Sequence, residues 1–147
     1  MRNFDPKEHV GLLVKFVNGK INTKINKNLA EFNLTGVQHE IICFIDRNEH
    51  ERDVFQKDIE KCLKLTNPTV TGIVKRLEEK EMIVRCPSSK DARYKCLHVT
   101  EKGRDVICKS FKFGANHIEK NLVKGMTEEE IKIFKDLLYR SLKNMEE

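Results

Sequence analysis

Apolar residues recur three and four apart through the first part of the chain. Val10, Leu13, Val14, Val17, Ile21 and Ile25 predict a long amphipathic helix reaching about Glu31. Asp5-Pro6 just before it offers an N-cap and a proline at the first helical position. Thr35 with Gln38 three residues on is the signature of a capping box. It opens a second helix with Val37, Ile41, Ile42, Phe44 and Ile45 expected inward. A short third helix over 54–63 carries Phe55, Ile59 and Leu63. After a connection through Lys64 and Leu65, Thr66 reads as an N-cap with Pro68 just inside the next helix. That helix runs to about Lys80, and Val70, Ile73, Val74 and Leu77 follow the helical repeat.

The period then shortens to two. Residues 83–87 and 94–99 read as strands joined by the polar, basic stretch 88–93, which predicts a hairpin. In the second strand Leu97 and Val99 alternate with Cys96 and His98, as a half-buried strand should. Thr100 caps a helix to about Leu122, and Gly125 breaks the pattern. Thr127 with Glu130 opens a last helix striped by Ile131, Phe134, Leu137, Leu138 and Leu142. The expected order is α-α-α-α-β-β-α-α, mainly helical with one small hairpin. Without a Pro/Gly/Ser-rich linker or a repeat, residues 1–147 read as one domain.

Composition narrows the class. The chain is 39% hydrophobic and 35% charged, with no apolar run long enough to span a bilayer and no secretory leader, so a cytoplasmic, membrane-free protein is expected. Cys43, Cys62, Cys86, Cys96 and Cys108 form no C-x-x-C pair, which reads as a reduced thiol set and gives no support for a zinc ribbon. The net charge of +5 is unevenly placed: residues 52–104 hold 13 Lys and Arg against 8 Asp and Glu, and the remainder holds 15 of each. A basic segment in the middle of the chain suits a polyanion, although a merely solvated surface has similar composition.

Two short helices joined by a tight turn, with a basic hairpin directly after, form a winged helix-turn-helix arrangement. The second helix is narrow enough for the major groove. If its apolar residues face the core, Pro68, Gly72, Lys75 and Arg76 lie on the opposite arc, with Asn67 and Thr69 at its N-terminal end. Asn, Thr and Arg offer donors to bases, Lys75 suits a phosphate, and Gly72 lets the helix approach closely. At the hairpin tip, beside Lys90, Arg93 is long enough to enter a minor groove, and Asp91 two residues earlier can hold its guanidinium.

The stretch Asp91-Ala92-Arg93-Tyr94-Lys95-Cys96-Leu97-His98-Val99-Thr100-Glu101-Lys102-Gly103 resembles the wing signature of the MarR family. Gln56-Lys57-Asp58-Ile59 and residues 66–78, from Thr66 to Glu78, resemble its helix-turn-helix. The resemblance covers nearly the whole chain. It implies a DNA-binding lobe over about 35–100 and dimerisation helices over about 5–31 and 101–145. It also implies that Thr66, Asn67, Thr69, Thr71, Lys75 and Arg76 face double-stranded DNA, with Asp91 and Arg93 acting from the wing. A homodimer would then read a pseudo-palindrome with half-sites about one helical turn apart. Glu81 departs from the pattern, which often has glycine there.

Such regulators commonly release DNA when a small molecule, a metal or an oxidant acts on them, and the residues leave the signal open. His39, Glu40 and His117 have metal-ligand chemistry without metal-site spacing. Cys86 and Cys96 lie symmetrically about Asp91 and could be cross-strand neighbours, a candidate redox pair. No G-x-S-x-G, Walker A or G-x-G-x-x-G motif is present, no cofactor is implied, and catalysis is not expected. The remaining alternative, a winged-helix adaptor for protein, would usually lack the basic residues Lys75, Arg76, Arg85, Lys90, Arg93 and Lys95.

Overall fold

The computed structural model describes residues 5–146. It is mostly helical with a single two-stranded antiparallel sheet. The elements are α1 (Val10–Ala30), α2 (Gly36–Asn48), α3 (Gln56–Leu63), α4 (Asn67–Glu79), β1 (Ile83–Pro87), β2 (Lys95–Val99) and α5 (Glu101–Phe113). A π-helical stretch, Gly114–Glu119, follows, then α6 (Lys120–Leu122) and α7 (Glu128–Asn144). The chain divides into two compact units, one through Lys112 and the other from Phe113 onward.

In the first unit, α2, α3 and α4 enclose an apolar core of Ile41, Ile42, Ile45, Val54, Ile59, Val70, Val74 and Leu77, each fully buried. Ile83, Leu97 and Val99 from the hairpin and Val106 and Ile107 from α5 extend it. Both predicted capping boxes form. Thr35 Oγ1 accepts the Gln38 N–H while the Gln38 side chain accepts the Thr35 N–H, and Thr127 with Glu130 repeats the arrangement in the second unit.

Three helices end on a non-glycine residue in the left-handed conformation: Asn33, Lys64 and Glu81, with φ of 55°, 52° and 59°. At the end of α4 the Met82 N–H reaches Leu77 O at 2.9 Å and the Glu81 N–H reaches Glu78 O at 2.8 Å. This is the Schellman pairing, and burial of both Leu77 and Met82 supplies its apolar contact. Glu81 is thus held left-handed by its neighbours without the glycine that would adopt it freely.

Gly103 has a different reason to be glycine. A Cβ there would overlap the Met82 carbonyl and stand 2.6 Å from Val99 Cγ1. The first turn of α5, capped by Thr100 Oγ1 accepting the Gly103 N–H at 3.0 Å, therefore lies directly against the β1 approach.

Several expectations are corrected. Asp5 caps a separate 3-10 turn, Pro6–Glu8, by accepting the Lys7 N–H at 2.9 Å, and α1 begins only at Val10 after His9. Val37 is not core: it is 42% exposed beside an open groove of about 470 Å³ that Pro68 and Gly72 also line. Phe44, by contrast, is half-buried and packs against the core as expected. Cys96 is buried, because β2 is covered on both faces and on its free edge, where the Leu97 N–H donates to Val54 O at 2.8 Å. The helix expected to run on to Leu122 is interrupted by the π-helical stretch.

The stripe of α1 is largely uncovered. Val10, Leu13, Val14, Phe16 and Val17 are exposed, and Leu29 is its one buried residue. In the second unit α7 likewise exposes Ile133, Leu137, Leu138 and Leu142 and buries nothing. No helix among the described residues is long and apolar enough to cross a membrane.

Candidate nucleic-acid interface

Residues Val70, Val74 and Leu77 seat α4 on the core, so the opposite arc must face solvent. Thr66, Asn67, Pro68, Thr69, Thr71, Gly72, Lys75 and Arg76 are all exposed there. They are not equally free. Asn67 Nδ2 donates to Glu60 Oε1 at 2.7 Å, and Gln56 Nε2 donates to Thr71 Oγ1 at 2.6 Å. These two bonds stitch α3 to α4 and fix the angle at which the second helix projects. Thr66 and Thr69 share a hydroxyl bond of 2.8 Å across the first turn. The positioning roles of Gln56 and Glu60 escaped the sequence reading, since only the fold reveals that they hold two of the predicted contacts.

Lys75 and Arg76 differ. Neither is in an ion pair with any described residue, so their charge is offered outward. Arg85 is the contrary case: it pairs with Glu78 at 3.0 Å, which spends its charge inside the molecule. Gly72, one turn before Lys75 and Arg76 in mid-helix, has nothing within 4 Å of where a Cβ would lie. Glycine in a helix interior costs about 1 kcal/mol relative to alanine. No intramolecular contact requires it here.

The hairpin pairs Ile83 with Val99, Arg85 with Leu97 and Pro87 with Lys95. Just below the tip it is tied to the lobe by buried Ser88, whose Oγ donates to Asp53 Oδ2 at 2.6 Å. At the tip, Asp91 accepts the Arg93 backbone N–H at 3.0 Å and grips the guanidinium through Nε at 3.0 Å and Nη2 at 2.7 Å. The bonds from Arg93 hold the Asp91 carboxyl below its ordinary range, and Asp91 in turn raises the guanidinium. The Arg93 side chain is nonetheless 85% exposed, oriented but uncovered. Lys90 stands exposed beside it, with its N–H on Ser88 Oγ.

The residues considered as sensors are placed as follows. His39 Nε2 lies 2.7 Å from Ser110 Oγ and 3.6 Å from Cys43 Sγ, a half-buried polar contact between α2 and α5. Burial pushes the His39 pKa down and the Cys43 thiol up. Glu40 is exposed, and in the second unit His117 stacks on Phe113 with ring centroids 5.0 Å apart. Asp46, Glu49 and His50 bring donor atoms within 4.8 Å of one another, but both carboxylates are ion-paired to Arg104, at 3.5 and 2.6 Å. Cys86 and Cys96 are indeed direct cross-strand partners, both as free thiols.

Residues 32–93 match the model described as the MarR family. The HTH-type transcriptional regulator MhqR of Bacillus subtilis (strain 168) is 26% identical over 120 residues, spanning 82% of this chain and 80% of that protein. A point mutant of MepR from S. aureus superposes with a TM-score of 0.83 at 25% identity, covering 93% of this chain and 98% of that one. A second MepR mutant, bound to an oligodeoxyribonucleotide, gives 0.72 at 25% identity over 93% and 98%.

Proposed function

Because the chain belongs to the MarR family of winged-helix transcriptional regulators, we propose that it is a homodimeric repressor that binds a pseudo-palindromic operator and is released by an effector whose identity the residues leave open. Each protomer lays α4 in the major groove of one half-site and sets its wing tip in the neighbouring minor groove. Thr66, Asn67, Thr69 and Arg76 meet base edges, Thr71 and Lys75 reach phosphate, and Lys90 and Arg93 act from the wing, with Asp91 aiming Arg93.

The observation that carries this reading is the outward arc of α4. An exposed interior glycine with no intramolecular justification lies one turn before Lys75 and Arg76, cations that no described carboxylate neutralises. Such an arc costs helix stability and is suited to a close polyanion surface. The wing adds an arginine fixed in direction yet almost fully exposed. A protein-binding adaptor has no use for either feature. The MepR relative with its oligodeoxyribonucleotide supports the same choice of partner.

Dimerisation is supported by the apolar residues left open along α1 and α7. An apolar stripe left open on a helix marks an interface, and a two-fold dimer matches a palindrome. Hydroxyl-radical footprinting on the DNA upstream of the protein's own gene tests the arrangement. Two protected half-sites about 10 base pairs apart centre to centre, or a multiple of that, are expected. A single protected patch would overturn the dimeric reading.

A further inference from the structure

The stem of the wing holds more chemistry than DNA contact requires. Leu97 and Val99 send their N–H groups away from β1, to Val54 O and to Glu49 Oε2. The alternate residue Cys96 therefore pairs with Cys86 in a hydrogen-bonded rung, where α-carbons lie about 5.5 Å apart, inside the α-carbon window of a disulfide. The β-carbons of such a rung stand about 1 Å wider than the bond needs, so closing it must twist the stem.

A third group adjoins them. His98, on the same strand face as Cys96, brings Nε2 to 3.3 Å from Cys96 Sγ. Its other nitrogen, Nδ1, lies 3.1 Å from Glu49 Oε2. An ionised carboxylate can only accept, so Nδ1 carries a hydrogen. In the neutral ring Nε2 faces the sulfur as an acceptor, beside the Cys86 carbonyl oxygen that also accepts from the Cys96 thiol at 3.3 Å. Glu49 is 3% exposed and is held by the Val99 N–H at 3.0 Å and Arg104 Nη2 at 2.6 Å. Anchoring β2 and α5 explains Glu49. It does not explain a thiol set against a free imidazole nitrogen with a second thiol across the ladder. Thiol, base and orienting acid are the parts of an activated nucleophile.

We propose that the wing houses a redox-active dithiol in which a hydroperoxide oxidises Cys86 and Cys96 then closes a disulfide onto it, with His98 as the base. The Cys86 sulfur attacks the peroxide, the O–O bond breaks, and Cys86 becomes a sulfenic acid as its thiol proton joins the departing oxygen, which leaves as water or an alcohol. Cys96 sulfur, its proton passing to His98 Nε2, then attacks the Cys86 sulfur. The S–O bond breaks and the oxygen leaves as water. Two thiols lose two electrons and two protons, and the peroxide takes up both. The order follows from access: Cys86 is half-buried and within reach of an oxidant, whereas Cys96 is buried. Burial, and then the Asp53 charge, raise the Cys96 thiol, so it keeps its proton until a base removes it.

The bond would lock the stem five residues from Asp91 on either side and alter its twist, which carries Arg93 away from its seat. That consequence rests on the DNA-binding reading, but the disulfide itself does not, so the two fail separately. The test treats full-length protein with hydrogen peroxide and maps peptides without reduction. A Cys86–Cys96 linked peptide two hydrogens lighter than its parts is expected. Cys96→Ser should instead accumulate a dimedone-trapped sulfenic acid at Cys86, and His98→Gln should slow linkage by about 100-fold. Cys86→Ser, a change at a side chain with no hydrogen bond to lose, must abolish both products. Oxidation of Cys62 or Cys108 with the wing thiols left reduced, or linkage at an unaltered rate in His98→Gln, would overturn the proposal. Reduced protein reports DNA affinity independently of the thiol chemistry. Linked protein should bind at least about tenfold more weakly, with dithiothreitol restoring it, and unchanged affinity would refute the switch.

Discussion

Individual side chains divide into those whose neighbours are local and those whose neighbours are not. Asp91 and Arg93 are two residues apart, and their pairing follows from spacing alone. Removing the arginine in Arg93→Ala should weaken operator binding about 10- to 100-fold and leave the dimer intact. Fluorescence anisotropy on labelled operator measures it, and unchanged affinity would remove the wing from the interface. Lys75→Ala should weaken all sequences alike and flatten the plot of log K against log salt by about one unit.

Gly72→Ala makes the sharper residue-scale test because stability and binding should move in opposite directions. Open space at the Cβ position predicts a helix more stable by up to about 1 kcal/mol. Close apposition to DNA predicts weaker binding from the same methyl group. Thermal melts and anisotropy on one preparation read both, and a variant that binds as tightly as the parent would show that nothing approaches this face. Glu49, His98 and Arg104 were invisible in the sequence for the opposite reason. Their bonds span 49 and 55 residues, and no spacing rule reaches that far.

Elements were legible wherever the local signal was complete. Thr35, Thr100 and Thr127 all cap as their side chains dictate. The hairpin register put Cys86 opposite Cys96 because the loop is symmetric about Asp91. The start of α1 was misjudged, since Asp5-Pro6 is an equally good opening for a short 3-10 turn. Cys96 was misjudged because alternation assumes one wet face, whereas neighbouring segments cover β2 on both.

Element junctions also predict energetics. Gly103→Ala would force α5 off the Met82 carbonyl and should cost about 1–3 kcal/mol, read as a lowered denaturation midpoint. Glu81→Gly should do the reverse, relieving the left-handed end of α4 by roughly 0.5–1 kcal/mol after the added freedom of the unfolded glycine is counted. Its exposed pairing with Lys102 at 3.5 Å contributes little to lose.

At the scale of the molecule, the α1 and α7 stripes were readable as amphipathic from period alone, but the single chain covers neither. Helical periodicity says which residues seek apolar company and leaves open whether the company is the same chain. The proposed second copy would account for the exposed faces of both helices. Leu138→Glu on α7 and Val14→Glu on α1 should each shift sedimentation from dimer to monomer at micromolar concentration, while the first unit keeps its buried core. A monomeric parent would remove the need for any interface.

The central claim, that α4 and the wing form one DNA-reading surface, is tested most directly by a gel-shift titration against the DNA upstream of the protein's own gene, with unrelated DNA as competitor. A discrete complex that survives excess competitor and weakens steeply as salt rises is predicted. No complex even at low salt would contradict the account and move the protein-binding alternative to the front.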